Sequence, residues 1–321
     1  LKILLGEKMK SKIILALNCL MSSIPVSLAG KETRLTSGER LTMSTSIYGN
    51  LVTWLETSRN VVHVYDLTTG KELDIEGGTG SNIKVYENKV VWSDQDYDIF
   101  MYDISTGKET KIASEGNSPD IFGNYIVYNS VVFNSEQNDI YLYDLNTHNV
   151  TKIASNASFG SPSIYGKKVV WSQLSSGNAS DVYIYDISTH QKSTITTTGN
   201  VSSDPDIHGN VVVWIGSNNG KDDVYMRDIS KHKTTLVTTS GMASEPAIYG
   251  NRIVYTNSYS TGGSDIYIYE ISAAKTNRIT TSKSAFGPSI FGDKIIYADS
   301  RNDPTSGEVR DIYMYDLAAK P

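Results

Sequence analysis

Short runs in which apolar and polar positions alternate recur along this chain in sets of four, and the clearest set lies between Ser161 and Thr196. It reads SPSIYGKKVVW, then SQLSSGNAS, then DVYIYDISTHQKSTIT. Runs of four to eight residues with a period of two, bounded by Gly, Asn, Asp and Ser, predict strands and tight turns. The set occurs seven times. Turn positions Gly49, Gly123, Gly166, Gly209, Gly250 and Gly292, with Glu87 at the seventh equivalent place, fix the register at spacings of 38, 36, 43, 43, 41 and 42 residues. Five places after each comes a large aromatic: Trp54, Trp92, Tyr128, Trp171, Trp214, Tyr255 or Tyr297. A fixed period near forty with four short strands per unit predicts an all-β, seven-bladed β-propeller with four antiparallel strands per blade.

Within a unit, Pro119, Pro162, Pro205, Pro246 and Pro288 are expected at the first residue of the inner strand, where no ladder hydrogen bond is lost. At the exceptional turn, Asn88 is expected to relieve Glu87 of the strained backbone angle. The third strands, such as Val182–Tyr185, are apolar on both faces, which suits a sheet packed between two neighbours. The seventh unit stops at Pro321 before a fourth strand, while GKETRLTS at Gly30–Ser37 copies the fourth-strand sequence GKETKIAS at Gly107–Ser114. Residues 31–36 are therefore expected beside the strand ending near Asp316, so that the N-terminal strand completes the last blade and closes the ring. Antiparallel order puts the uniform short turns on one rim and the variable loops on the other, and variable loops on a rigid scaffold are where binding usually resides.

Residues 1–29 read as a targeting segment with some upstream residues: Lys10 and Lys12 precede a short apolar run, and Ser27 and Ala29 form a small-residue cleavage pattern. Residues 30–321 are then one propeller domain, and no transmembrane segment is expected once the signal is removed. The single cysteine, Cys19, lies in the removed segment, which excludes disulfides and thiolate chemistry from the mature chain. Without residues 1–29, 25 basic residues face 34 acidic ones, a net charge of −9 with histidine neutral. That balance argues against nucleic acid or anionic lipid as a partner.

The pattern P-x-I-Y-G-N-x-V-V-W followed by D-I-Y-x-Y-D-I-S-T-G-K resembles the TolB-type, WD40-like β-propeller repeat, in the form found in cell-surface antigens and surface-layer-associated proteins of methanogenic archaea. The resemblance spans Gly30 to the C-terminus. It implies an extracytoplasmic binding or surface-assembly module.

Repeated acids belong to the scaffold on this reading: Asp98, Asp139, Asp181, Asp223, Asp265 and Asp311 as backbone caps, and Asp66 and its equivalents as turn formers. Departures from the repeat are more informative. Asp94, Asp96 and Asp98 form D-x-D-x-D in a variable loop, a candidate calcium site and the one candidate cofactor. Asp120, Asp204, Asp206 and Glu245, with Lys84, gather on the inner strands by the central channel as candidate ligand-binding residues. Strict alternation would put Asp204, Asp206 and His208 on one face, a metal-ligand arrangement set against a hydrated channel in which His208 packs as an aromatic. His63 replaces an aromatic of a third strand, and His148, His190 and His232 take the turn position of Gly70 and Gly107. Asn149, Asn156, Asn178 and Asn200 are candidate glycosylation acceptors.

With no unique catalytic set, the expected function is non-enzymatic: a secreted or cell-surface module that binds envelope protein or glycan through the variable rim. The alternatives are a carbohydrate-active lyase or hydrolase with acids at the channel mouth, and a TolB-like periplasmic partner protein. The sequence leaves the oligomeric state open.

Overall fold

The computed structural model describes residues 30–37, 42–77, 82–131, 138–157, 161–175, 179–196, 201–303 and 309–319. The targeting segment and sequons Asn178 and Asn200 lie outside the described residues. Among the described residues, no helix is long and apolar enough to cross a membrane.

Among the described residues, all regular structure is β. Strand β1 (Lys31–Arg34) comes first. The first repeat holds β2 (Thr42–Tyr48), β3 (Leu51–Glu56), β4 (Val61–Asp66) and β5 (Lys71–Glu76). The second holds β6 (Lys84–Tyr86), β7 (Lys89–Ser93), β8 (Ile99–Asp103) and β9 (Lys108–Ala113). The third holds β10 (Gly116–Phe122), β11 (Tyr125–Ser130), β12 (Asn138–Asp144) and β13 (Val150–Ala157). The fourth holds β14 (Ser163–Tyr165), β15 (Lys168–Leu174), β16 (Ser180–Asp186) and β17 (Gln191–Thr194). The fifth holds β18 (Val201–His208), β19 (Val211–Asn218), β20 (Lys221–Asp228) and β21 (Lys233–Leu236). The sixth holds β22 (Ala243–Tyr249), β23 (Arg252–Ser258), β24 (Ser264–Glu270) and β25 (Lys275–Arg278). The last holds β26 (Ala285–Phe291), β27 (Lys294–Asp299) and β28 (Asp311–Asp316).

These strands form six hydrogen-bonded antiparallel sheets, the layout of a propeller. Five sheets have four strands. The sixth has eight, because the third and fourth repeats are joined by one pair, Ala157 with Gln173. The expected β1 pairing is present, with Lys31 opposite Asp316 and Arg34 opposite Tyr313.

The core sits between consecutive repeats. Val90 and Trp92 of the second repeat share a cluster with Val62, Val64 and Ile75 of the first, and Ile296, Ala298 and Ile312 of the last share one with Ile47, Val52 and Trp54. Third strands therefore meet apolar neighbours on both faces, as their sequences anticipate. The aromatic that follows each turn is buried and stacks on a ring of the third strand: Trp92 on Phe100, Tyr128 on Tyr141, Trp171 on Tyr183, Trp214 on Tyr225, Tyr255 on Tyr267 and Tyr297 on Tyr313. Centroid separations are 5.7–6.0 Å.

Two local expectations need correction. Glu87 itself adopts the left-handed angle, φ 51°, while the Asn88 amide is occupied with Asp103 and Ser105. The proline marks a bulge rather than a strand start in four repeats. In β10, β18, β22 and β26 the strand begins earlier and its register shifts across Pro119, Pro205, Pro246 or Pro288. A bulge leaves a residue out of the ladder, so the missing proline amide costs nothing there.

Candidate functional site

The bulges decide how inner-strand side chains alternate. Each proline follows a residue with positive φ: Ser118 at 52°, Asp204 at 48°, Glu245 at 53° and Gly287 at 62°. The register shift between Ser203 and Asp206 breaks the alternation, so Asp204 does not share a face with Asp206 and His208. Of the two arrangements open to these residues, the three-residue metal set is therefore not assembled.

Asp120 and Asp206 brace neighbouring repeats. Asp120 accepts from its neighbour Ile121 N at 2.9 Å and from Ile164 N of the next repeat at 2.9 Å. Asp206 accepts from Ile207 N at 2.9 Å, from Ser163 Oγ at 2.8 Å and from Ile248 N at 2.8 Å, which ties three repeats together. Burial raises the Asp120 carboxyl above its ordinary range, against the opposing pull of Lys84. Asp204 is likewise raised, by burial and by Glu245 and Asp222 nearby, although Ser203 Oγ donates to it. Glu245 accepts from Thr256 Oγ1 at 2.7 Å and from Gly287 N at 2.8 Å.

His208 packs as an aromatic. Ring contacts run from Tyr48 to Tyr86, Phe122, Tyr165, His208, Tyr249 and Phe291 and return to Tyr48, with centroids 4.3–4.8 Å apart. Gly250 N donates to His208 Nδ1 at 3.2 Å, and desolvation lowers the imidazole's proton affinity against the pull of Asp206.

Acids of the second-repeat loop, Asp94 and Asp98, are engaged locally. Asp94 Oδ1 accepts from the amides of Asp96 at 3.0 Å and Asp98 at 2.8 Å, and Asp98 pairs with Lys111 Nζ at 2.6 Å. An open groove of about 650 Å³ lies beside it on the variable rim, lined by Arg59, Asn60, Glu76, Gly77, Asp94 and Gln95. It runs between the loops of the first two repeats.

Acids of the repeat hold the scaffold. Asp181, Asp223 and Asp265 accept from Thr196, Thr238 and Thr280 at 2.7–2.8 Å, and those threonines in turn accept the amides of Val182, Val224 and Ile266. Each acid thus buckles the outer strand onto the third. Thr36, just after β1, does the same for Asp311 and Ile312 N. Turn acids such as Asp66 and Asp103 cap the following amides. His148, His190 and His232 hold left-handed turn angles of 52–59°, as their alignment with Gly70 and Gly107 anticipates. Of the described sequons, Asn149 lies exposed in a turn and Asn156 lies exposed on β13 with φ 60°.

One cluster escaped the sequence reading. His63 on β4 is fully buried, and carboxylates face both of its ring nitrogens. Nε2 lies 2.9 Å from Glu56 Oε2, while Nδ1 lies 2.6 Å from Glu72 Oε1 and 2.8 Å from Asp74 Oδ1. Glu56 is buried, whereas the Glu72 and Asp74 side chains are 32% and 46% exposed. Arg59 Nη1 approaches Glu56 at 3.5 Å, and its Nη2 lies 4.0 Å from Asp74 Oδ2. Among the described residues, His63, Glu72 and Asp74 are the one group of three potential metal-ligating side chains whose donor atoms lie within 4.8 Å of one another. The available signal was a column in the repeat: opposite the stacked ring, the fourth strand carries Asp74 where other repeats place Lys111, Lys152 and Arg278.

No protein-family model matches this chain, and no curated protein matches its sequence. Solved structures do share its fold. The β-propeller domain of the Trilobed protease from Pyrococcus furiosus, which has an open velcro topology, superposes with a TM-score of 0.69 at 13% identity, over 89% of this chain and 97% of that one. Oligogalacturonate lyase from Vibrio parahaemolyticus gives 0.68 at 13% identity, over 91% and 95%. TolB from Acinetobacter baumannii gives 0.51 at 15% identity, over 91% and 79%. At these identities the likeness is one of architecture: the chain has a β-propeller fold related to those of TolB, the protease propeller and the lyase.

Proposed function

We propose that this chain is a secreted or cell-surface propeller of seven blades, closed by its N-terminal strand, which binds an envelope protein or glycan through its variable rim. Three features support the ring. The eight-stranded sheet contains two four-stranded repeats held together by a single pair. β1 supplies the strand that the last repeat lacks, and Thr36 buckles it as Thr196, Thr238 and Thr280 buckle theirs. The circle of inner-strand rings returns to its starting residue.

The observation that carries the binding reading is the open groove between the loops of the first two repeats, with Arg59, Asn60, Glu76, Asp94 and Gln95 presenting both charges and amide groups. Polar groups converging in a concave site are the usual setting for recognition. A lyase or hydrolase would need an acid or base at liberty; Asp120, Asp206 and Glu245 each accept at least two hydrogen bonds from the scaffold, which leaves Asp204, held by Ser203 Oγ, as the acid such a reading would have to use. Export is supported by the targeting pattern before Gly30.

The test is binding of purified chain to an oligosaccharide array and to isolated envelope proteins, measured by biolayer interferometry. Arg59→Ala and Gln95→Ala are expected to weaken the best interaction at least tenfold, with Asp120→Asn leaving it unchanged. Equal binding by the groove variants would overturn the site. Release of sugar fragments from the same glycans would overturn the non-enzymatic reading.

A further inference from the structure

In six repeats the ring stacked beneath the buried aromatic is Phe100, Tyr141, Tyr183, Tyr225, Tyr267 or Tyr313. In the first it is His63, stacked on Trp54 at 5.2 Å and 13°. Packing asks only for a flat ring in this place, and Phe or Tyr supplies one without ring nitrogens to satisfy. The residue opposite that ring on the outer strand is Lys111, Lys152, Thr194, Leu236, Arg278 or, on β1, Arg34. Only the first repeat places an acid there, Asp74, and Glu72 joins it on the same face. The fold demands neither substitution.

Their chemistry is specific. A neutral imidazole has one N–H and one lone pair. With Nε2–H given to buried Glu56, the Nδ1 lone pair would face two carboxylate oxygens at 2.6 and 2.8 Å, three acceptors converging on one point. A positive species belongs at their meeting point, either a proton or a metal ion. We propose that His63 Nδ1, Glu72 Oε1 and Asp74 Oδ1 form one face of a binding site for a first-row divalent transition-metal ion such as zinc, with Glu56 orienting the imidazole through Nε2. Donors of a tetrahedral ion with bonds of about 2.1 Å lie about 3.4 Å apart, so the 2.6 and 2.8 Å separations at Nδ1 have to open by less than about 1 Å to admit it, a movement open to the partly exposed Glu72 and Asp74 side chains. The mixed nitrogen and oxygen set favours zinc, cobalt or manganese over calcium, which takes oxygen ligands. A carboxylate on the far nitrogen of a ligating histidine fixes its tautomer and raises its basicity. The partial exposure of Glu72 and Asp74 gives the ion a route from solvent to the outer edge of the sheet. Arg59 lies nearest the other oxygen of Asp74, Oδ2, so it does not compete for Oδ1.

The test uses tag-free, chelator-treated full chain titrated with Zn²⁺ by calorimetry and with Co²⁺ by tryptophan fluorescence, because Trp54 lies against the ligating ring and should be quenched. One equivalent of each ion is expected to bind, without competition from Ca²⁺. Glu72→Gln and Asp74→Asn alter exposed side chains that the fold does not need, and each should weaken binding at least tenfold. Glu56→Gln should weaken it about 10–100-fold, and His63→Phe, which restores the ring of the other repeats, should abolish it. Failure of the wild type to bind one equivalent would overturn the proposal. So would Co²⁺ quenching that persists unchanged in Glu72→Gln and Asp74→Asn, since the ion would then sit elsewhere and a proton alone would bridge the three groups.

Discussion

Glu56 in the first repeat and Asp299 in the last occupy equivalent places, two residues beyond the stacked aromatic, and both are buried. Other repeats put Asp94, Ser130, Gln173, Gly216 and Asn257 there, so the column requires no acid. A buried acid must bring its own partners, and the two repeats solve this differently. Asp299 takes Arg301 from the following loop, with Ser282 and Ser284, and Arg301 also clasps Glu32 of β1. Glu56 takes an imidazole from the adjacent strand, and the far nitrogen of that imidazole meets two further acids. A guanidinium stays charged and can only hold. An imidazole can exchange its proton for a metal, so the first arrangement is a brace and the second is open to chemistry.

If packing is equal beneath this unequal chemistry, removing the packing is the sharpest way to find out. Trp54→Ala and Tyr297→Ala should each cost about 3–5 kcal/mol in chemical denaturation. A much smaller loss for Trp54 would mean that His63 is not a true member of the stacked set. Next in size is the removal of cations. Arg301→Ala strips Asp299 of its charged partner and should cost about 2–3 kcal/mol. His63→Phe should cost about 1–2 kcal/mol, because Glu56 keeps Arg59 and Ser58, and His63→Phe with Glu56→Gln should recover most of that loss. Equal penalties for Arg301→Ala and His63→Phe would erase the distinction between the two buried acids.

A smaller effect tests whether β1 is held as firmly as an internal outer strand. Thr36→Val and Thr280→Val remove the same pair of hydrogen bonds and should each cost about 1 kcal/mol, read as a shift in denaturant midpoint. A negligible loss for Thr36 alone would show a loosely seated strand.

Acid titration gives the smallest and most diagnostic effect. Burial pushes the Asp299 carboxyl up, but Arg301, Ser284 and Ser282 outweigh it and hold the group below its ordinary 3.8. Its contribution is therefore present above pH 3.8 and lost as the pH falls further, and Asp299→Asn should flatten that acid limb. Asp120 runs the other way. Its folded value is raised, so the folded state binds the proton more tightly and stability declines as the pH climbs from 3.8 through the raised value. Asp120→Asn should remove that decline. Melting midpoints of the wild type and both variants across the acid range would check both signs.

The repeat could be read from the sequence because its punctuation is chemical: Gly49 and its equivalents need left-handed backbone, Trp54 and its equivalents fill the gap between sheets, and Asp66 and its equivalents cap turns. The bulges could not, because proline tolerates a strand start and a bulge for the same reason, the missing amide. That ambiguity misplaced Asp204 relative to Asp206 and His208. Asp120 and Asp206 stand out in the sequence as departures from the repeat, yet their partners include amides of other repeats, and those pairings exist only once the sheets are packed. His63, Glu56, Glu72 and Asp74 lie on three strands, so no local spacing joins them. Comparing the repeats column by column, rather than scanning for motifs, is what reveals the reversed charge.

Lys31 sits opposite Asp316, so the chain enters and leaves the folded unit at neighbouring points on one sheet edge. A pull through those two points loads the β1–β28 ladder at one end, and its hydrogen bonds break in succession instead of sharing the load in shear. Tension on the chain would peel β1 away before any other strand yields, with the Arg301–Glu32 clasp loaded near the start and the Thr36–Asp311 buckle as the last fastener to give. The protein would meet mechanical force as a zipper with a known starting tooth.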